Sequence, residues 1–186
     1  NLSVVGEHNL LNALAAFTAA SALNMAEDKL FTGLKSFTGT RRRFELKGEV
    51  SGIKVIDDYG HHPTEIIATL TAAKNLAQSA RVLVIFQPHR YSRTAAFFEQ
   101  FSKALSNADF TFLLEVYAAS EKAIPGVSSL MIARNMDQTK VRFEPSMLEV
   151  VSEITKMAKS GDVIITLGAG DISSLGEPIL QSLASR

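Results

Sequence analysis

Two carboxylates and two imidazoles stand close together in one short stretch of the chain. Asp57 and Asp58 end a run of apolar residues, and His61 and His62 follow just before a proline. An apolar strand that runs into a polar loop and then a helical pattern is typical of a strand-to-helix connection. Such groups at a strand end can bind a polar ligand or transfer a proton. The alternative is that Asp57 or Thr64 caps the helix and that the histidines are solvated.

Two later apolar runs also end in residues that can take part in chemistry. The run at 82–86 leads into a loop with His89 and Arg90, and the run at 162–167 leads into Gly-Ala-Gly-Asp. The forked guanidinium of Arg90 suits a small carboxylate, while His89 could orient or deprotonate an amine. The alternatives are a surface arginine and a loop imidazole. The glycine sequence could hold a phosphate, but it lacks the third glycine of the dinucleotide motif, and tight packing often requires such glycines.

The overall composition excludes several classes of function. Of the 186 residues, 46% are hydrophobic and 20% are charged, which is typical of a globular protein. The formal net charge is zero, so the sequence predicts no binding to nucleic acid or to a membrane surface. No apolar run is long enough to span a bilayer. Cysteine is absent and adjacent histidines make a poor metal-binding pair, so no metal site is predicted.

Strands and helices alternate from residue 53 onward and would position these groups. A hairpin is predicted at 44–56, followed by strands at 82–86, 110–116, 141–143 and 162–167. Helices are predicted at 63–77, after residue 94, at 127–134, at 147–159 and after residue 171. The longest apolar runs lack polar alternation, which indicates parallel strands buried on both faces. The pattern predicts an α/β fold with a Rossmann-like, mostly parallel sheet and helices on both faces.

The first part of the chain has a helical pattern instead. Two helices are predicted within residues 4–37, too few to enclose a core, so this segment is interpreted as a piece of a neighbouring domain. Asn9 and Asn12 share a helix face and could offer amides to a base or a ribose; a helix cap and a solvated asparagine are the alternative. A joint of three consecutive arginines, ending at Arg43, follows and could bind an anion.

Six stretches of the sequence together match a known family in order and spacing. They are HNLLNALAA, GTRRRFE, DDYGHHPTE, FQPHRYSRT, LLEVYAASEKAIPG and LGAGDIS, and they extend over essentially the whole chain. With these motifs the sequence resembles the Mur ligases, which are cytoplasmic, ATP-dependent enzymes of peptidoglycan synthesis. DDYGHHPTE and FQPHRYSRT together are highly specific for the family.

The resemblance implies a three-domain enzyme of which this chain is a part. Residues 1–39 would be the helical end of the central ATPase domain, and residues 40–186 the C-terminal, amino-acid-binding domain. The UDP-substrate domain and the rest of the central domain would lie outside this chain. The sequence has no glycine-rich loop ending in Gly-Lys-Ser/Thr, so the chain alone is expected to be inactive. Residues 1–39 are expected to be held weakly and residues 44–186 to be compact.

The implied reaction joins L-alanine to UDP-N-acetylmuramate. ATP would phosphorylate the sugar carboxylate, and the amine of L-alanine would attack the acyl phosphate. Mg²⁺ would bridge the phosphates and would be bound mainly by the central domain. The resemblance places four residues near ATP: Asn9, Asn12, Arg43 and Asp58. It places four near L-alanine: Tyr59, His61, His89 and Arg90. Three are expected to be catalytic: Asp58, His61 and His89.

Other interpretations stay open at this point. A related ligase that recycles murein tripeptide is similar through the first half of the chain, although the pair His89 and Arg90 favours the alanine-adding reaction. A stand-alone regulatory module that senses an amino acid or a nucleotide is a different class of answer. A hydride-transferring Rossmann enzyme is disfavoured by the incomplete glycine motif.

The joint at 39–43 is expected to be a hinge that carries Arg43 to the nucleotide when the domains close.

Overall fold

The structure is a computed structural model that describes residues 2–4, 7–37 and 39–186, with the backbone alone for Glu7 and His8. The chain divides into two compact units, Asn1–Arg41 and Arg42–Arg186. The division thus comes after Arg41, whereas the sequence placed it after residue 39. Each unit has its own architecture.

The first unit is a pair of helices with little buried surface. Helices α1 (Glu7–Ala22) and α2 (Glu27–Ser36) form as the sequence predicted, and the rings of Phe17 and Phe31 lie 5.5 Å apart. Leu30 is buried, but several large apolar side chains on both helices are exposed, as expected for two helices that cannot enclose a core. No helix in the described part of the chain is long and apolar enough to cross a membrane.

The second unit is built on one six-stranded sheet with the order β1-β2-β6-β3-β4-β5. The strands are β1 (Glu45–Val50), β2 (Ile53–Asp58), β3 (Val82–Phe86), β4 (Phe110–Leu113), β5 (Val141–Phe143) and β6 (Val163–Leu167). β1 and β2 are antiparallel and joined by Ser51 and Gly52, whose φ angles of 53° and 74° suit a tight hairpin turn. The other neighbouring strands are parallel. The predicted Rossmann-like, mostly parallel sheet is confirmed.

Helices cover both faces of this sheet. They are α3 (Pro63–Ala77), α4 (Tyr91–Leu105), α5 (Leu130–Ala133), α6 (Met147–Met157) and α7 (Gly176–Ala184), the last preceded by a 3₁₀ helix at Asp171–Leu175. Neighbouring residues of β3 point to opposite faces: Val84 packs in a core with α3 and α4, and Ile85 in a core with α6 and α7. Because both faces are covered, the central strands are apolar throughout.

Three predicted boundaries are wrong by three or more residues. α4 begins at Tyr91, inside the predicted loop, instead of after residue 94, and one carboxylate accounts for the other two. β4 ends at Leu113 instead of continuing to residue 116, and α5 begins at Leu130 instead of residue 127. The Oε1 atom of Glu115 accepts hydrogen bonds from the backbone N–H groups of Val116, at 2.8 Å, and Ser129, at 3.4 Å. These bonds end the strand pairing after Leu113 and fix the loop that leads to α5.

Candidate active site

Three strand ends that carry polar residues lie side by side in the sheet. β6 lies between β2 and β3, so the loops that follow these parallel strands leave the same edge. From β6 the sheet continues through β3 to β4 and β5 on one side, and through β2 to β1 on the other. In open α/β sheets, ligands bind outside the carboxyl ends of the strands at such a reversal of strand order. This edge of the sheet is therefore the candidate active site.

Asp57 holds two of these strand ends together. It is 1% exposed, accepts a hydrogen bond from Thr166 Oγ1 at 2.7 Å, and forms an ion pair with Arg42 Nε at 3.1 Å. Arg42 also donates from Nη2 to the backbone carbonyl of Gly168 at 2.5 Å. The guanidinium therefore joins the ends of β2 and β6. Asp57 does not cap α3, which was one alternative for this residue.

Asp58 is buried and fixes the turn that follows β2. Its side chain accepts three hydrogen bonds, from the backbone N–H of Phe44 at 2.8 Å, the backbone N–H of Gly60 at 2.8 Å and Thr69 Oγ1 at 3.0 Å. These bonds connect the turn to the arginine joint and to α3. The contact of Asp58 with ATP and its catalytic role stay predictions.

Tyr59 lies between two arginines of the joint. The guanidinium carbons of Arg42 and Arg43 are 5.0 and 5.6 Å from the centroid of its ring, within the range of cation–π interactions. Arg43 has a half-exposed side chain, and its Nη1 atom is 3.6 Å from Oε1 of Glu65. An exposed ion pair of this length contributes little stability, so the Arg43 side chain can turn toward a ligand at small cost.

The two adjacent histidines have different tasks. His62 is the N-cap of α3, because its Nδ1 accepts a hydrogen bond from the backbone N–H of Thr64 at 3.4 Å. Glu65 completes a capping box: its Oε2 accepts from the backbone N–H groups of His61, at 3.0 Å, and His62, at 3.1 Å. The Nδ1 atom of His61 lies 2.9 Å from the carbonyl oxygen of Tyr59. These bonds fix the orientation of the His61 ring.

Four rings form a row across the carboxyl ends of β2, β3 and β4. The ring centroids of Tyr59 and His61 are 5.1 Å apart, those of His61 and His89 are 5.9 Å apart, and those of His89 and Tyr117 are 5.7 Å apart. We call these four residues the ring row. His89 and Tyr117 are nearly parallel and also form a β-bridge. The structure thus brings together the two imidazoles that the sequence placed near L-alanine.

Arg90 is held beside the ring row in an unusual backbone conformation. It precedes α4 with an exposed side chain and a φ of 74°, which few residues other than glycine adopt. Its N–H donates to the carbonyl oxygen of Tyr117 at 2.8 Å. Its own carbonyl accepts hydrogen bonds from the N–H and the hydroxyl of Thr94, at 3.1 and 2.8 Å. The surrounding structure therefore maintains a strained residue at the site, as is common where ligands bind.

The glycine loop after β6 is closely packed against the other loops. Gly168 has a φ of 148°, and a Cβ atom there would lie 2.6 Å from the backbone oxygen of Gln87. A Cβ atom on Gly170 would lie 2.7 Å from the ring of Tyr117. The backbone N–H of Ile172 already donates to the Gln87 side chain, at 3.3 Å. Close packing therefore explains these glycines better than the alternative of a phosphate site.

The residues selected for nucleotide binding lie in both units. Asn9 is half-buried and Asn12 is exposed, and both belong to α1 of the first unit, whereas Arg43 belongs to the second. Within the described ranges, no group of three or more His, Asp or Glu side chains is placed to hold a metal ion. The roles of the two asparagines stay predictions.

Three residues of the site were not selected from the sequence: Arg42, Glu65 and Tyr117. Glu65 had a local signal, because it stands three residues after the N-cap, which is the spacing of a capping box. Arg42 was indistinguishable from its arginine neighbours, since its partners Asp57 and Gly168 are distant in sequence. Tyr117 follows β4, and only the strand order brings it next to His89.

The environment of His89 favours its neutral form. Burial lowers the pKa of His89 below the ordinary value of 6.5, and the positive charges of Arg93, His61 and Arg90 lower it further. The negative charge of Glu121 acts in the opposite direction but is outweighed. An imidazole of this kind is suited to accept or donate a hydrogen bond without carrying a charge.

Replacing His89 by glutamine is expected to reduce the loss of stability in mild acid. Because the pKa of His89 is lower in the folded chain than in the unfolded chain, the unfolded chain binds more protons below pH 6.5. The free energy of unfolding therefore falls as the pH decreases from 6.5 through the folded pKa, and above 6.5 this contribution is absent. Urea unfolding of the unmodified chain and of His89→Gln between about pH 5 and 8 measures the free energy of unfolding of each. Parallel curves for the two proteins would contradict this assignment.

Comparison with known proteins assigns the chain to a family. The chain belongs to the Mur ligase family, because the model of the Mur ligase, glutamate ligase domain, matches residues 42–170. It is similar to the UDP-N-acetylmuramate–L-alanine ligase of Renibacterium salmoninarum, with 47% identity over 99% of this chain and 39% of that protein. The chain therefore spans about two fifths of that relative's length. The family membership that the sequence motifs indicated is confirmed.

Solved structures of two ligases resemble this chain. The UDP-N-acetylmuramate-alanine ligase of Thermotoga maritima has a TM-score of 0.82 and 31% identity, covering 99% of this chain and 39% of that one. The murein peptide ligase of Psychrobacter arcticus has a TM-score of 0.74 and 27% identity, covering 100% of this chain and 39% of that one. Both similarities extend over the two units of the chain.

Proposed function

We propose that this chain is the C-terminal, amino-acid-binding portion of a cytoplasmic, ATP-dependent ligase that joins L-alanine to UDP-N-acetylmuramate. Residues 1–39 belong, in this proposal, to the central ATPase domain of the same protein. The observation that carries the proposal is the pairing of two imidazoles, 5.9 Å apart, with an exposed arginine at the reversal of strand order. An amino acid presents a carboxylate and an ammonium group close together, and these side chains complement both groups.

The positions of the side chains suggest how L-alanine is oriented. Arg90 is the cation that can form a forked contact with the carboxylate, and His89 stands next to it in the chain. His61 then lies on the side of the amino group, one ring further along the row. Tyr59, held by two arginines, forms the wall of the site beyond His61. We assign substrate binding to these four residues.

ATP and Mg²⁺ are expected to bind largely outside this chain. The carboxylates of Asp57 and Asp58 are engaged by a guanidinium, two backbone N–H groups and two hydroxyls, so they do not fit as metal ligands in this arrangement. Mg²⁺ would neutralise phosphate charge in the ATPase domain. On the side of this chain, we assign Asn9, Asn12, Arg43 and Asp58 to the nucleotide.

Phosphate release from ATP tests the proposed function. With the full-length ligase, release should require both L-alanine and UDP-N-acetylmuramate. The 186-residue chain alone should release none, because the P-loop lysine that stabilises the transferring phosphate is not in its sequence. Release by the full-length protein that does not depend on L-alanine would contradict the proposal.

Replacing Arg43 by alanine is expected to lower the turnover number of the full-length ligase roughly tenfold, the effect of losing one charged hydrogen bond to phosphate. Its loosely held side chain can leave Glu65 when the domains close. Steady-state kinetics measure the effect, and circular dichroism should show an unchanged fold. Arg134→Ala, at an exposed arginine beyond α5, is the control and should keep normal turnover. Near-normal turnover of Arg43→Ala would mean that the joint is only a linker.

Ligation of a murein peptide is the second candidate function. It is favoured by the structural similarity to the murein peptide ligase, which extends over the whole chain at 27% identity. The two functions use the same chemistry and differ in whether the amine belongs to one amino acid or to a peptide. The identity of the product distinguishes them.

A further inference from the structure

The two imidazoles of the ring row have different partners at Nδ1. For His61, the Nδ1 atom lies 2.9 Å from the carbonyl oxygen of Tyr59 and 3.4 Å from Oε2 of Glu65. A backbone carbonyl accepts hydrogen bonds but cannot donate them, and an ionised carboxylate likewise only accepts. The proton of the neutral His61 ring is therefore on Nδ1, and the lone pair is on Nε2.

His89 has the opposite arrangement. Its Nδ1 atom lies 3.5 Å from Nη1 of Arg93, and a guanidinium can only donate. The lone pair of neutral His89 is therefore on Nδ1, and the proton is on Nε2. The two rings thus present different atoms to a ligand: His61 offers an acceptor, whereas His89 offers a donor.

Glu65 is ionised in this arrangement. Burial raises the pKa of Glu65, but the backbone N–H of His61, the charge of His61, the backbone N–H of His62 and the charge of Arg43 together lower it below the ordinary value of 4.5. One oxygen thus faces His61 while the other faces Arg43, at 3.6 Å. A carboxylate behind an imidazole stabilises the imidazolium that forms when the ring accepts a proton.

We propose that Glu65 is a positioning residue that makes Nε2 of His61 the base for the amino group of the substrate, while His89 donates from Nε2 to the substrate carboxylate. This inference rests on the proposed ligase function. One proton moves from the substrate ammonium to Nε2 of His61, and the freed lone pair bonds the nitrogen to the carbonyl carbon of the acyl phosphate. The bond between that carbon and the phosphate oxygen breaks, and its electron pair leaves with the phosphate. The released phosphate takes the second proton from the nitrogen.

The assignment of protons can be tested without activity. The chain has 4 histidines, so long-range ¹H–¹⁵N spectra of the 186-residue chain at about pH 8 can resolve each ring. His61 should show the tautomer protonated at Nδ1, and His89 the tautomer protonated at Nε2. In Glu65→Gln, the His61 signals should move while those of His89 stay unchanged. The same tautomer in both rings of the unmodified chain would overturn the proposal.

Kinetics of the full-length ligase test the role of Glu65. Glutamine keeps the size and a carbonyl acceptor but loses the charge, so turnover with L-alanine should fall roughly tenfold. The acidic limb of the pH–rate profile should also move to lower pH, since an imidazolium formed in the reaction loses a neighbouring negative charge. The two rings that face His61, those of Tyr59 and His89, stay unchanged in this variant.

The control is Glu99→Gln, at an exposed glutamate on α4, which should have normal turnover and an unshifted profile. The contrary result is a Glu65→Gln variant that has reduced turnover and a lower unfolding temperature but an unshifted acidic limb. Glu65 would then serve only to cap α3, and the proposal would be overturned. If the unmodified ligase has no L-alanine-dependent activity, the proposed function fails. The response of the His61 signals to Glu65→Gln in the chain still tests separately whether Glu65 acts on that ring.

Discussion

Replacing Arg90 by alanine should raise the KM of the full-length ligase for L-alanine by roughly ten- to a hundredfold. A charged hydrogen bond to a carboxylate contributes about 1.5–3 kcal/mol, which corresponds to that range. The KM for ATP should change far less, because the nucleotide-binding residues are assigned elsewhere. Titration of each substrate with the others saturating measures the two constants separately.

The backbone of Arg90 makes the choice of controls important. Its φ of 74° is maintained by hydrogen bonds of the main chain, so alanine at this position removes the guanidinium without removing those bonds. Arg90→Lys keeps the charge but loses the forked geometry of the guanidinium. Its KM for L-alanine should therefore lie between those of the unmodified ligase and Arg90→Ala. Arg134→Ala, remote and exposed, should leave both constants unchanged. An unchanged KM for L-alanine in Arg90→Ala would remove this residue from the site.

Replacing Arg42 by methionine should lower the free energy of unfolding of the chain by about 2–4 kcal/mol. The change leaves the carboxylate of Asp57, which is 1% exposed, without its cationic partner. It also removes the hydrogen bond to the carbonyl oxygen of Gly168 that joins β2 and β6. Removing one partner of a buried pair is more costly than removing an exposed pair, although partial exposure of Arg42 reduces the cost.

Urea unfolding of the 186-residue chain measures this loss, with Arg142→Met as the matched control. Arg142 forms two ion pairs, with Glu144 at 3.4 Å and Glu153 at 3.2 Å, but its side chain is 48% exposed. Exposed pairs of this kind contribute about 0–1 kcal/mol, so the control should remain nearly as stable as the unmodified chain. Equal effects of the two substitutions would show that Arg42 is not a structural link between the strands.

The fold could be predicted from the sequence because its central strands are apolar on both faces. An uninterrupted apolar run such as residues 82–86 is typical of a parallel strand buried on both faces, and helices must then cover those faces. The hairpin of β1 and β2 was also predictable, from the turn at Ser51 and Gly52. The end of β4 was not, because a side-chain hydrogen bond of Glu115 decides it and apolar patterns do not report such bonds.

The contacts within the candidate site were harder to predict than the fold, and the roles of its residues stay predictions. His61, His89 and Arg90 were selected from the family resemblance and because they follow strands, and the structure places the two histidine rings 5.9 Å apart. The engagement of Asp58 by three hydrogen bonds was not predictable, since its partners include Phe44 and Thr69, which show no local signal. Side chains that act through contacts distant in sequence need the strand order to be known first.

The mass of the reaction product shows which amine the full-length ligase uses. The full-length ligase is given ATP, UDP-N-acetylmuramate and equal concentrations of L-alanine and the murein tripeptide. We expect the product to be UDP-N-acetylmuramate extended by one alanine, because we propose that the site built from His61, His89 and Arg90 binds a single amino acid. A product extended mainly by the tripeptide would contradict this account.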